Sequence, residues 1–350
     1  MGVSRRSLLM FFLLSAFWGA SYLFIKVALD DGVAPWAIVS ARTALAALVL
    51  LPLAACTGVL SSLRGRIGAI VVLGFVQAAV PLSLIALGEE RISSSLTGIL
   101  VSTAPIFTFL LAFALSGAER ASRTRLAGVA IGIVGVALLL GVDAGGGADA
   151  LVGGLFVITA AFGYAVAAWY LKRNLGGVEP VATVAGTQAV AALATLPLGL
   201  LHLPDVVPSG EAIASIATLG IFCTGIAFVL FHSLVASEGP ATASLVGYVA
   251  PGFSVTYGVV LLDESFTLAT AVGLVLILGG SWLAAGGELP ARRSNVAATC
   301  EPHGGADAAF LEGGTEGGDR VGPRPAVARA GRVVGNEIDL EGRPRLEQSG

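Results

Sequence analysis

A chain of 350 residues could hold two soluble domains, but 55% of its residues are apolar and only 12% are charged, about half the usual charged share. A soluble protein has no way to cover that much apolar surface. The formal net charge of −3 sums an apolar body and a mixed-charge C-terminal segment, so it points to no partner.

In chain order the apolar runs predict helices over 8–29, 34–54, 67–88, 94–116, 124–142, 151–173, 178–200, 211–236, 240–262 and 267–286. Each is roughly 20 residues, the length that crosses a hydrocarbon core of about 30 Å, and helices satisfy their own backbone polar groups in lipid. Ser4-Arg5-Arg6 ahead of Leu8 and Leu9 resembles a twin-arginine signal. With nine further apolar runs following, Arg5 and Arg6 read better as the positive flank of the first span. Met1-Gly2 fits no myristoylation site, because Arg6 stands where Ser or Thr is needed. With the N-terminus placed in the cytoplasm, inner segments carry Arg5, Arg6, Arg64, Arg66, Arg120, Arg123, Arg125, Lys172, Arg173, Arg292 and Arg293, and outer loops carry only Arg91. That asymmetry predicts ten spans with both termini inside. From Glu288 onward the chain gathers 18 of its 43 charged residues amid Gly-rich stretches, a composition that predicts a disordered cytoplasmic tail.

The chain also matches itself at a shift of about 145 residues. Pro35 recurs as Pro180, Pro52 as Pro197, Leu73-Gly74 as Leu219-Gly220 and Ala104-Pro105 as Ala250-Pro251. Glu119, Gly128 and Gly135 recur as Glu264, Gly273 and Gly280. A unit of five spans must re-enter the membrane from the opposite side. The expected fold is therefore an all-α integral membrane protein of ten transmembrane helices, built as two inverted five-helix repeats over 1–142 and 143–287, with the tail at 288–350. Two inverted units around one midplane site suit alternating access.

Trp18-Gly19 with Lys26, Pro35 with Arg42, Pro105 followed by Gly117-Ala118-Glu119-Arg120, and then Pro251 and Asp263-Glu264 resemble, in that order, an EamA-type member of the drug/metabolite transporter superfamily. The likeness covers residues 8–286. It implies a ten-helix protein of a bacterial inner membrane that exports or takes up amino acids, metabolites or drugs. The second half departs from the pattern: Thr187 stands opposite Arg42 and Tyr170 opposite Lys26. Any charge role is thereby confined to the first half.

Ionisable groups inside a bilayer are expensive, so each needs a reason. Lys26, Arg42 and His232 stand within predicted spans, and no Asp or Glu is placed mid-span. Trp18, Tyr22 and Lys26 share a helix face. Either that face lines a cavity, with Lys26 meeting an anion, or Lys26 snorkels to the surface. Arg42 either pairs with a solute carboxylate, caps helix carbonyls, or forms a structural clasp with Asp30 or Asp31. His232, about a turn from the cytoplasmic end of the eighth span, either handles a proton or is a hydrogen-bonded structural histidine at the membrane interface. Pro105 and Pro251 are expected to kink their helices. Near them Ser102, Thr103, Ser244 and Tyr248, with Gln77 and Tyr164 on other spans, are candidates for cavity walls or for helix-to-helix hydrogen bonds. Gly128, Gly132 and Gly135 form a small-residue face for packing inside the bundle or for a homodimer. Glu119 and Glu264 read as favourable charge ahead of the helices that follow them.

Cys56, Cys223 and Cys300 are too scattered for a disulfide framework or a zinc site. No metal, cofactor or nucleic acid is expected, and the partners are the lipid bilayer and a small-molecule substrate. The expected function is movement of small organic solutes, as an exporter. An intramembrane lipid-modifying enzyme and a channel-like facilitator are the alternatives.

Overall fold

Strong apolar runs interrupted by prolines and short charged loops give helices here, and the helix ends follow local chemistry. The computed structural model describes residues 4–116, 123–143, 147–238, 243 and 245–286. Glu119, Ser244 and the expected tail at 288–350 lie outside the described residues. Eight helices are long and apolar enough to cross a membrane: α1 (Arg5–Asp30), α2 (Pro35–Cys56), α3 (Ile67–Glu89), α4 (Ser94–Leu115), α5 (Arg123–Gly141), α6 (Ala148–Asn174), α7 (Pro180–Leu201) and α8 (Gly210–Glu238). Two shorter apolar helices follow, α9 (Val246–Leu261) and α10 (Leu268–Ala284). The ninth run, expected over 240–262, is thus an α-helix over only 16 residues. The described residues contain no strand.

Pro35 and Pro180 open α2 and α7 at the position where proline's missing N–H costs nothing. Ser4, Ser93, Ser209 and Thr267 cap α1, α4, α8 and α10 through their hydroxyls. Two helices change winding at places the repeat had matched: α3 becomes a π-helix over Gly74–Ala79 and α8 over Leu219–Ile226. Such segments inside α-helices concentrate at functional sites. In α4 the chain breaks at Ser102 and Thr103, just before Pro105, whereas Pro251 lies within a continuous α9. The freed Ser102 carbonyl accepts a hydrogen bond from Ser281 Oγ of α10 at 3.1 Å.

The packing sets helices of the first half against helices of the second. α2 lies antiparallel to α7: Gly199 meets Ser40 and the Trp36 carbonyl at one end, and Leu50 and Ala54 meet Val184 and Ala185 at the other. α5 lies antiparallel to α10 in the same way. Gly128 faces the Gly280 carbonyl and Ala284, Gly135 faces Ile277, and Gly273 faces Leu139. Further contacts join α1 to α9 and α4 to α6, two pairs that the repeat exchanges for one another. Small residues at these crossings let backbones approach closely, which drives association in lipid. The Gly128/Gly132 face is therefore used inside the bundle, and Leu8, Leu9, Phe12, Leu193 and Val275 are among the large apolar side chains left outside.

A Cβ added at Gly280 would stand 2.5 Å from the Gly132 amide nitrogen and 2.6 Å from the Gly128 carbonyl oxygen. Backbone cannot yield as a side chain can. Gly280→Leu is expected to cost more than the ~1–3 kcal/mol typical of overpacking, seen as loss of monodisperse protein or a large drop in Tm in detergent.

Candidate functional site

The π-helical turns, the break in α4 and the aromatic face of α1 converge on one central cavity of about 470 Å³, within the usual range for a small-molecule site. Trp18, Tyr22, Arg42, Gln77, Ser102, Tyr164, Tyr248, Pro105 and Pro251 line it. Thr103 is buried but outside the lining, its hydroxyl bonded to the Leu100 carbonyl at 2.7 Å. Lys26 does not reach the cavity either. It pairs with Asp30 at 3.3 Å and remains partly exposed at the far end of α1, so the surface alternative describes it. Ser244 lies outside the described residues.

Arg42 is the cavity's buried cation, 2% exposed. Nε donates to Thr224 Oγ1 at 3.0 Å and Nη2 to Ser21 Oγ at 3.2 Å. Thr224 is itself aimed by the π-helical turn of α8, donating to the Leu219 carbonyl five residues back at 2.8 Å. The clasp with Asp30 or Asp31 does not form. Asp30 holds Lys26, and Asp31 accepts from the Ser209 amide at 2.9 Å. Among the described residues no carboxylate lies within ion-pair distance of Arg42. An arginine in mid-span costs about 2.5–3.5 kcal/mol on insertion. Two hydrogen bonds to a charged group, at about 1.5–3 kcal/mol each, offset that. Both partners are neutral hydroxyls, so the positive charge itself stays uncompensated.

The remaining polar walls are neutral. Gln77, in the π-helical turn of α3, donates its amide to His232 Nε2 at 3.3 Å. His232 is buried between α3 and α8 rather than at the membrane surface. Trp18 packs on Phe231 and Phe228 at centroid distances of 5.2 and 5.9 Å. One end of the cavity is sealed where Gly98 of α4 meets Ser254 of α9 and the Tyr22 ring. Toward the other end, marked by Arg125, the lining residues Thr108, Ala112 and Trp282 are exposed.

Two acidic residues differ from expectation. Glu264 does not serve the helix that follows it. Its carboxylate accepts from the Ser94 and Ser95 amides at 2.7 and 3.0 Å and from the Ser95 hydroxyl, so it caps α4 from across the bundle. Glu89, read as an outer-loop residue, is instead the last residue of α3 and fully buried. Among the described residues no group of three or more His, Cys, Asp or Glu side chains could hold a metal ion.

The EamA-like transporter family matches residues 5–141 and again residues 151–286. The chain belongs to this family. An uncharacterized transporter of Archaeoglobus fulgidus is 27% identical over 76% of this chain and 94% of its own length. YdfC, an uncharacterized transporter of Bacillus subtilis, is 28% identical over 77% of this chain and 87% of its own. YedA, an uncharacterized inner membrane transporter of Escherichia coli, is 24% identical over 79% and 85%. A solved crystal structure at 22% identity superposes with a TM-score of 0.58 and covers 81% of this chain and 97% of its own, which shows the fold. The protein is a multi-pass membrane transporter with two EamA repeats.

Sequence reasoning missed Ser21 and Thr224, the two groups that hold Arg42. The Leu219-Gly220 match marked the right segment of α8, but spacing does not reveal a π-helical turn. Thr224→Val keeps the shape and removes the acceptor of Arg42 Nε. It is expected to cost about 1–3 kcal/mol, read as a lower Tm of the purified protein, whereas the exposed Thr256→Val should change little.

Proposed function

We propose that this transporter is an alternating-access carrier of small organic solutes bearing a carboxylate and an apolar body, amino acids being the class that fits best. The carrying observation is Arg42: a buried guanidinium, held rigidly by two neutral hydroxyls, facing an aromatic cavity. A solute carboxylate would supply the missing counter-charge in a fork geometry suited to arginine. Trp18, Tyr22, Tyr164 and Tyr248 would cover the apolar body. Because a carboxylate leaving water must be well repaid, a single charge partner with neutral surroundings favours release as well as binding.

The carrier cycle follows from the proposed topology: ten spans, α9 and α10 included, in two inverted repeats, both termini in the cytoplasm of a bacterial cell. The antiparallel packing of α2 on α7 and of α5 on α10 supports this reading, since matched helices of inverted units must run oppositely. On that topology the exposed, Arg125-marked end of the cavity faces the cytoplasm and the sealed end faces outward. A site loaded from inside agrees with export, the direction we favour.

Counterflow in proteoliposomes tests the reading. Radiolabelled L-phenylalanine should exchange against unlabelled L-phenylalanine, with phenylalaninamide a poor competitor. Arg42→Gln should reduce exchange at least tenfold, about 1.4 kcal/mol, at unchanged expression. Equal competition by the amide, or full exchange by Arg42→Gln, would remove the carboxylate assignment.

A further inference from the structure

Beyond the sealed end of the cavity lies a second ionisable group that substrate binding does not explain. Glu89 closes α3, is 0% exposed, and neither carboxylate oxygen has a hydrogen-bond partner among the described residues. Among the described residues no cation lies within ion-pair distance of it. The Ser94 hydroxyl, five residues on, is likewise buried and unpartnered. Its surroundings are fixed. The preceding Gly88 is packed against the Gly153 carbonyl and Val157 of α6, which leaves the end of α3 no room to shift toward α6. The charged and titratable groups that act on it are Glu264 from the loop before α10, Arg42 from α2, and Lys26 and Asp30 from α1; Tyr22 of α1 faces it as well. The two cations are engaged elsewhere, Lys26 by Asp30 and Arg42 by Ser21 and Thr224. Glu264 is provided with three donors and is built as an anion. Glu89 has none.

A bare carboxylate in such a place is among the most expensive groups a fold can bury, and protonation removes most of that cost. Tyr22, which acts on Glu89, also belongs to the Gly98–Ser254–Tyr22 contact that closes this end of the cavity. We infer that Glu89 is a proton-binding site that must be filled before the outer end of the bundle, beside Lys26 and Asp30, can close. This rests on the alternating-access reading above. The step is a simple one: the carboxylate takes up one proton from water as the outer end closes, and gives it back when the end opens and rehydrates it. The closed state then binds one proton more than the open state. By linkage, acid favours closure and alkali favours opening.

The test needs no substrate. Cysteines placed at Glu90 and Phe266, both exposed at the outer end, carry nitroxide labels in a background with Cys56, Cys223 and Cys300 replaced by alanine, in lipid nanodiscs. Pulsed EPR measures the distance between them. From about pH 5 to about pH 9 the longer-distance population should grow at least threefold. Glu89→Gln should stay in the short-distance state throughout, while Glu264→Gln keeps the pH response. A distribution insensitive to pH in the parent, or a Glu89→Gln variant that opens like it, overturns the assignment. Infrared difference spectra give an independent reading: a protonated-carboxyl band that persists above about pH 7 and vanishes in Glu89→Gln supports it, and absence of that band in the parent overturns it. Failed counterflow with a normal Glu89 response would sink the carrier reading alone.

Discussion

Hydrocarbon offers a polar group no water, and every irregularity in this structure answers to that fact. Lipid-facing surfaces are regular helix with apolar side chains. The broken turn at Ser102 and Thr103 and the π-helical turns of α3 and α8 each bring a residue to the cavity, Ser102, Gln77 and Cys223. Irregular backbone is therefore a pointer to the site. In α8 the connection is direct: the wider turn carries the Thr224 hydroxyl to the Leu219 carbonyl and presents its oxygen to Arg42. Local winding, not a long-range loop, builds the polar centre.

Glycine governs the scaffold by a different route. Between helices in lipid there is little hydrophobic gain, so association depends on close contact. Gly128, Gly280 and Gly273 bring α5 and α10 together along their length, and Gly199 and Gly220 do the same around α2. These contacts hold the outer walls of the two halves against each other. The cavity opens between α1, α4, α6 and α9, where Trp18, Tyr22, Tyr164 and Tyr248 line it, while Gly19 and Gly98 bring α1 and α4 close against α9.

Much of this was legible from residues alone, because composition and charge asymmetry are summed over long segments. The apolar runs, the repeat and the aromatic face of Trp18 and Tyr22 come from patterns many residues deep, and single-residue accidents average out. What was not legible depends on single atoms. Lys26 and Arg42 look alike as lone cations near one membrane edge, yet one meets Asp30 on its own helix and the other turns inward to Ser21. Their distinction lies in helix rotation, which a nearly uniform apolar sequence does not record. Glu89 was misplaced for a related reason. Next to Glu90 and Arg91 it reads as loop, but α3 runs on to it and leaves it fully buried. A charged pair at a helix end hides which member faces in.

The two halves share a plan but not a chemistry. Arg42 in α2 stands opposite Thr187 in α7, and these helices are matched partners packed antiparallel. Thr187 satisfies itself, donating to the Val184 carbonyl at 3.1 Å, so only one of two equivalent places carries charge. Glu89 belongs to the same half. On the alternating-access reading, a repeated scaffold would make the two facing states similar in packing and so close in energy. The buried cation and the bare carboxyl, both in the first half, would then make those states differ in electrostatics. On that reading the scaffold would supply the motion and the asymmetric charges its bias.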